Sequence, residues 1–231
     1  MFVDCSVVIE ESRIRERRLV LASRSPRRKL LLENIGFMPV VFPADIHEVR
    51  REGESAVEYT VRMSQEKAAE VTRLIGVRHA SDAPERLREV SPWALSADTV
   101  VVLDGEVLEK PTDNREACHM LARMSGRWHR VVTSFTVAAI GEVKSQVTRT
   151  VDAEVHFKAL SEDEIERYVA TGEPADKAGS YGIQRVGSFL VKEIRGSYFC
   201  VVGLPVCEVV ETLIGLGALT RFPFSPAEER S

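Results

Sequence analysis

A mixed α/β fold, with a mixed central sheet in two lobes around a cleft, is predicted for this chain of 231 residues. Three observations predict it. Short β-branched runs are bounded by Gly, Pro, Asp and Ser, helix-length segments open on capping signals, and strands and helices do not strictly alternate. One later segment also alternates with period two, Val147, Val151, Ala153, Val155 and Phe157 sharing a face, as expected of a half-buried antiparallel strand.

The elements follow in order. Leu19 to Ala22 reads as a short buried strand, and Ser25-Pro26 as an N-cap hydroxyl and a ring pre-set for the first position of a helix reaching Gly36. Pro39 to Phe42 is a second strand, leading into an acidic turn from Ala44 to Glu48. Ser55 and Glu58 stand at capping-box spacing before a helix that carries Lys67 and stops near Gly76. Val77 to Pro92 is polar and reads as a loop or a short solvent-facing helix. Ala94 to Leu103 is an apolar strand closed by the hairpin signal Asp104-Gly105. Asp113 and Glu116 open another helix, ending near Ser125-Gly126, and Trp128 to Ile140 and Val147 to Phe157 are strands. Ser161 and Glu164 start a helix stopped by Gly172. Phe189 to Ile194 and Tyr198 to Val202 read as a hairpin across Arg195-Gly196-Ser197, and Pro205 begins a final apolar helix to Gly215. There are no internal repeats.

Composition narrows the function. Hydrophobic residues at 44% and charged residues at 29% describe an ordinary soluble globular protein, and a net charge of -4 argues against general nucleic-acid binding through counterion release. No apolar run approaches a membrane span, and Met1 to Arg18 is too charged for a secretory segment, so residues 1–18 read as a flexible extension. Cys5, Cys118, Cys200 and Cys207 have neither zinc-like spacing nor disulfide density, which suits a reducing, cytoplasmic setting. The five histidines are scattered singly.

Two features carry chemistry. Arg24, Arg27, Arg28 and Lys29 crowd the start of the first helix, where the macrodipole prefers negative charge. Such a cluster either splays into water or, with Ser23 and Ser25 beside free helix N–H groups, binds phosphate. Asp98 is the only charge inside its strand, so it must meet a cation, ligate a metal, accept backbone donors or become neutral.

Three segments, ASRSPRRKLL at 22–31, SADTVVVLDGEVLEKP at 96–111, and DKAGSYGIQ with VVGLP at 176–184 and 201–205, resemble the Maf family of nucleoside triphosphate pyrophosphatases. The resemblance runs over about residues 19–217, leaving 218–231 as a tail. It implies a two-lobed α/β fold similar to inosine triphosphate pyrophosphatase, a homodimer, a divalent cation (Mg²⁺ or Mn²⁺), and hydrolysis of a nucleoside triphosphate to the monophosphate and pyrophosphate in nucleotide-pool sanitation. Within the family the chain resembles the dTTP/UTP branch. By motif position Asp98 matches the proton acceptor, and Arg27, Thr99 and Gln184 match positions linked to base choice. Ser23, Ser25, Arg28, Glu48, Lys67 and Lys110 match polar positions of the substrate cleft. Asp98, Glu48, Lys67 and Lys110 are therefore the expected catalytic set, with Asp98 and Glu48 as metal ligands. The N-terminal extension and the longer Val77–Pro92 segment depart from the family pattern outside its motifs. Two rivals remain: a non-catalytic nucleotide sensor or regulator of division and septum formation, and a nucleic-acid binder using the same basic cleft. A pure phosphate binder gains nothing from acids beside its anion, which favours catalysis.

Overall fold

The computed structural model describes residues 15–78, 91–141 and 145–224. Its backbone is a seven-stranded mixed sheet in the order β2-β1-β3-β5-β6-β7, with β4 paired to β3. The strands are β1 (Val20–Leu21), β2 (Val40–Val41), β3 (Trp93–Leu103), β4 (Glu106–Leu108), β5 (Trp128–Ala139), β6 (Gln146–Phe157) and β7 (Val191–Gly196). The helices are α1 (Pro26–Asn34), α2 (Ala56–Arg78), α3 (Asn114–Met124), α4 (Glu162–Ala170), α5 (Tyr198–Val202) and α6 (Val206–Gly215). β1 runs parallel to both β2 and β3, and every other pairing is antiparallel.

Strand period two sorts β3 between two apolar layers. Leu95, Ala97, Val101 and Leu103 join the main core with Leu31 and Leu32 of α1, Leu121 of α3, Tyr168 of α4 and Leu213 of α6. On the other face Ala94 packs with Val71 and Ile75 of α2, and Val100 with Tyr59 and Met63 of the same helix. Hydroxyls line this second interface: Thr60 bonds Ser134 at 2.8 Å, Ser64 bonds Thr136 at 2.9 Å, and Ser96 donates to the Ser64 carbonyl at 2.5 Å. Buried hydroxyls with paired partners fix where α2 sits along the sheet.

One edge of β3 changes partner. Ala94 and Leu95 lie against β1, while Val101 to Leu103 lie against β4. Ser96 to Val100 therefore have no strand beside them on that edge, although all five pair with β5 on the other. Such a switch point is where an α/β sheet opens a ligand crevice.

The local signals are met in most places. Ser55 and Glu58 exchange backbone-to-side-chain bonds at the start of α2, and Ser161 and Glu164 do so before α4. Asp104 (φ 53°) and Gly105 (φ 82°) make the left-handed hairpin turn. Four expectations are corrected. The Ser25 side chain makes no capping bond; the backbone N–H of Ser25 donates to the Ser23 hydroxyl instead, at 3.2 Å. α2 runs through Gly76 to Arg78, and residues 79–90 of the Val77–Pro92 segment lie outside the described residues. Tyr198–Val202 is a helix, not the second arm of a hairpin: Ser197 Oγ accepts from the Cys200 N–H, Gly203 at φ 115° ends the turn, and β7 pairs with β6. A five-residue apolar run reads the same in either state, so the caps decide.

The fourth correction concerns the ends. Arg17 is buried, donates from Nε to the Gly36 carbonyl at 2.8 Å, and stacks over Phe224 at 5.0 Å. Glu16 accepts from Thr220, and Ala218 and Leu219 are buried in the main core. The flexible extension expected over 1–18 and the tail expected over 218–231 thus clasp one another at 15–18 and 218–224. Residues 1–14 and 225–231 lie outside the described residues.

Candidate active site

A cleft of about 490 Å³ opens at the unpaired edge of β3. One wall comes from the β1–α1 turn, the loop after β2 and α2; the other comes from Glu109-Lys110 after β4, the Asp176–Gln184 loop and Val201–Gly203. All ten candidate residues, Ser23, Ser25, Arg27, Arg28, Glu48, Lys67, Asp98, Thr99, Lys110 and Gln184, line it.

Asp98 projects from β3 toward α2, where Lys67 waits. Lys67 Nζ donates to Asp98 Oδ1 at 2.7 Å and stands 3.0 Å from Glu48 Oε1. Asp98 and Lys67 are each 7% exposed, so this pair is buried, whereas the Glu48 side chain is 42% exposed at the cleft mouth. The two acids are driven apart. Burial raises the Asp98 carboxyl above its ordinary range despite the Lys67 ammonium. Burial also works against ionised Glu48, but the charge and hydrogen bond of Lys67, with Lys110 and Arg28 behind, hold it below the ordinary range. Carboxylates separated this way take different roles, the raised one accepting a proton and the lowered one staying charged.

Arg28 occupies the gap in the sheet. Its Nε donates to the Gly203 carbonyl at 2.8 Å, Nη1 to the Ala97 carbonyl at 2.8 Å and Ser23 Oγ at 3.1 Å, and Nη2 to Thr99 Oγ1 at 3.0 Å. Four of its five N–H groups are thereby spent on neutral protein acceptors. The Ala97 carbonyl lies on the stretch that lacks a strand partner at the cleft edge, so the guanidinium stands in for a missing strand. Thr99 is engaged too, bonding Thr133 Oγ1 at 2.9 Å. Arg27 reaches across the cleft to Asp176 at 3.4 Å, a loose, partly solvated contact. Lys110 and Gln184 make no side-chain hydrogen bond among the described residues, which leaves both for a ligand.

The far wall is held by its own clips. Tyr168 Oη accepts from the Gly182 N–H at 3.1 Å and donates to Glu173 at 3.1 Å, and Glu173 accepts from the Val186 and Gly187 N–H groups. Gly179 at φ 68° sits against Val101, where a Cβ would come within 2.8 Å of a methyl carbon. Tyr181 bonds buried His129 at 2.8 Å. Sequence reasoning missed Tyr59, Glu109, Asp176 and Lys177, which also line the cleft. Tyr59 was findable, since Tyr59, Met63 and Lys67 stand four apart on one helical face. The others lay inside the quoted motifs or beside Lys110 with no distinguishing signal.

A strand switch point with a buried acid–lysine pair, beside a basic helix start, defines an α/β protein built to hold an anion. The Maf-like protein family model matches residues 18–216, and the chain belongs to that family. Among its relatives, the dTTP/UTP pyrophosphatase of Aliivibrio fischeri is 43% identical over 198 residues, covering 86% of this chain and 97% of that protein. The dTTP/UTP pyrophosphatase of Vibrio vulnificus is 45% identical over 196 residues, covering 85% of this chain and 97% of that protein. A solved structure of a HAM1 protein from Coxiella burnetii aligns with a TM-score of 0.43 at 13% identity, over 86% of this chain and 98% of that one.

Proposed function

We propose that this chain is a nucleoside triphosphate pyrophosphatase that hydrolyses dTTP and UTP to the monophosphate and pyrophosphate, serving nucleotide-pool sanitation. The observation that carries this reading is the buried Asp98–Lys67 pair inside a cleft lined by Arg27, Lys110 and Lys177. A receptor that only held phosphate would gain nothing from Asp98 and Glu48, so the acids speak for chemistry over sensing. The names and 43–45% identity of the relatives over most of the chain support the same substrate class.

In this mechanism Asp98, made more basic by burial, takes a proton from the attacking water. The water oxygen bonds to phosphorus as the bond to the oxygen bridging the α- and β-phosphates breaks, and pyrophosphate leaves with the bonding pair. Lys67 keeps Asp98 anionic until then, and Lys110 and Arg27 offset charge on the phosphates. Asp98 and Glu48 fit a hard cation, because their oxygens converge on the Lys67 ammonium and two carboxylates with phosphates suffice for Mg²⁺ or Mn²⁺. No third His, Cys, Asp or Glu joins them among the described residues. When bound, that cation would supply Lewis-acid stabilisation of the phosphate oxygens. Gln184 is the side chain left for a base edge, since Thr99 is tied to Arg28 and Thr133.

A cytoplasmic setting belongs to this reading, supported by the unpaired Cys118, Cys200 and Cys207. The homodimer rests on the family resemblance alone. No helix among the described residues is long and apolar enough to cross a membrane. The test is a panel of dTTP, UTP, CTP and GTP with Mg²⁺ or Mn²⁺, with products separated. Monophosphate with pyrophosphate from the pyrimidines is expected; release of orthophosphate alone would overturn it.

A further inference from the structure

We infer that Lys67 keeps the Asp98–Glu48 pair from taking a divalent cation until a nucleotide arrives. This rests on reading the cleft as a nucleoside triphosphate site, and it concerns how that site is loaded. The Lys67 ammonium holds one oxygen of each carboxylate, at 2.7 Å from Asp98 and 3.0 Å from Glu48. The two acids are the hard oxygen donors that converge here, and no third His, Cys, Asp or Glu completes a metal-binding group among the described residues.

The charge around these acids is already balanced. Two carboxylates face Lys67 and Arg28, and on the opposite wall Glu109 is offset by Lys110, so the pair presents no net negative field to draw in a divalent ion. Lys67 is buried with Asp98, where water screens its repulsion of a second cation poorly, while Glu48 reaches it from the cleft mouth. A polyphosphate changes both sides of this balance. It brings several negative charges, offers the ammonium a new anionic partner, and adds oxygen ligands for the cation. Cation and nucleotide should therefore bind with positive coupling, and by linkage each should tighten the other by the same factor.

The experiment is titration of Mn²⁺ into the full chain, followed by calorimetry and by the electron paramagnetic resonance of free Mn²⁺, with and without α,β-methylene-UTP. Wild type should bind Mn²⁺ weakly alone and at least about tenfold more tightly with the analogue. Lys67→Met, which keeps side-chain length without the charge, should bind Mn²⁺ about tenfold more tightly than wild type with no nucleotide present, and show reduced coupling. Lys67→Arg should stay as weak as wild type. Should Lys67→Met lose its fold by circular dichroism, Lys67→Gln offers Asp98 a neutral donor and reads the same quantity. Mn²⁺ affinity in the neutral variant no greater than in wild type would overturn the inference, as would equal wild-type affinity with and without the analogue. Because the comparison without nucleotide involves no turnover, a failure of the proposed hydrolysis would leave that result standing, and the two failures are distinguishable.

Discussion

Arg28 and Arg27 are neighbours in sequence with opposite duties. Arg28 satisfies two backbone carbonyls and two hydroxyls at the gap in the sheet, so truncating it strands acceptors in a half-buried place. Each stranded group costs roughly 1–3 kcal/mol. Arg28→Ala is expected to lower ligand-free stability clearly in a urea titration, whereas Arg27→Ala should change it by less than about 0.5 kcal/mol and raise KM instead. Equal stability losses would show that Arg27 is structural as well. From sequence both arginines read as phosphate ligands, because a cation at a helix N-terminus signals an anion without saying which N–H groups the fold has already used. Asp98 was more legible. A lone acid in an apolar strand must meet a cation, ligate a metal, accept backbone donors or become neutral, and the fold gives it the first of these in Lys67. Asp98→Asn should cost on the order of 10²–10⁴ in kcat. Asn keeps a polar oxygen opposite Lys67, and Glu48 still faces that ammonium at 3.0 Å, so the Asn variant should keep its fold by circular dichroism while losing its turnover. Loss of the fold would mark Asp98 as structural.

Among the elements, the loop from Glu173 to Leu190 is held by side-chain clips from Tyr168, Glu173 and His129. A Cβ at Gly187 would come within 2.5 Å of Tyr168 Oη, the atom that receives the Gly182 N–H. Gly187→Ala should therefore displace Gly182 to Gln184 and raise KM more than it lowers kcat, as a steady-state comparison would read. A pure kcat effect would place that loop with the reacting groups. The same wall leans on β5 through His129 and Tyr181. His129 is buried, its Nδ1 has no partner among the described residues, and burial pulls it down to about 4. A histidine depressed in the folded state adds stability above its unfolded value near 6.5, and that stability is lost as pH falls toward 4. In the limit this is about 3 kcal/mol. His129→Gln should flatten the stability profile between those two pH values; an unchanged slope would mean that other groups titrate there. Capping boxes and period-two strands were readable because their signals are local. α5 was misread because a short apolar run suits either state until Ser197 and Gly203 are weighed as caps.

At the scale of the whole molecule, function follows from one topological event. β3 exchanges β1 for β4 along one edge, and the unpaired stretch between presents Asp98 to α2 and Thr99 to Arg28. The mixed sheet was foreseeable from element order, and all ten candidate residues do reach one cleft. The switch itself was not readable, since pairing partners depend on tertiary contacts that a strand's own pattern does not encode. Nor was the clasp between residues 15–18 and 218–224, which joins two chain ends whose charged or short apolar segments look solvated in isolation.

Hydrolysis at the Asp98 centre is read by quantifying both products of dTTP and UTP turnover, for wild type beside Asp98→Asn at saturating Mg²⁺. Wild type is expected to release monophosphate and pyrophosphate in equal amounts, with turnover almost lost in the Asn variant. Diphosphate with orthophosphate, or undiminished turnover in Asp98→Asn, would contradict pyrophosphate release at Asp98.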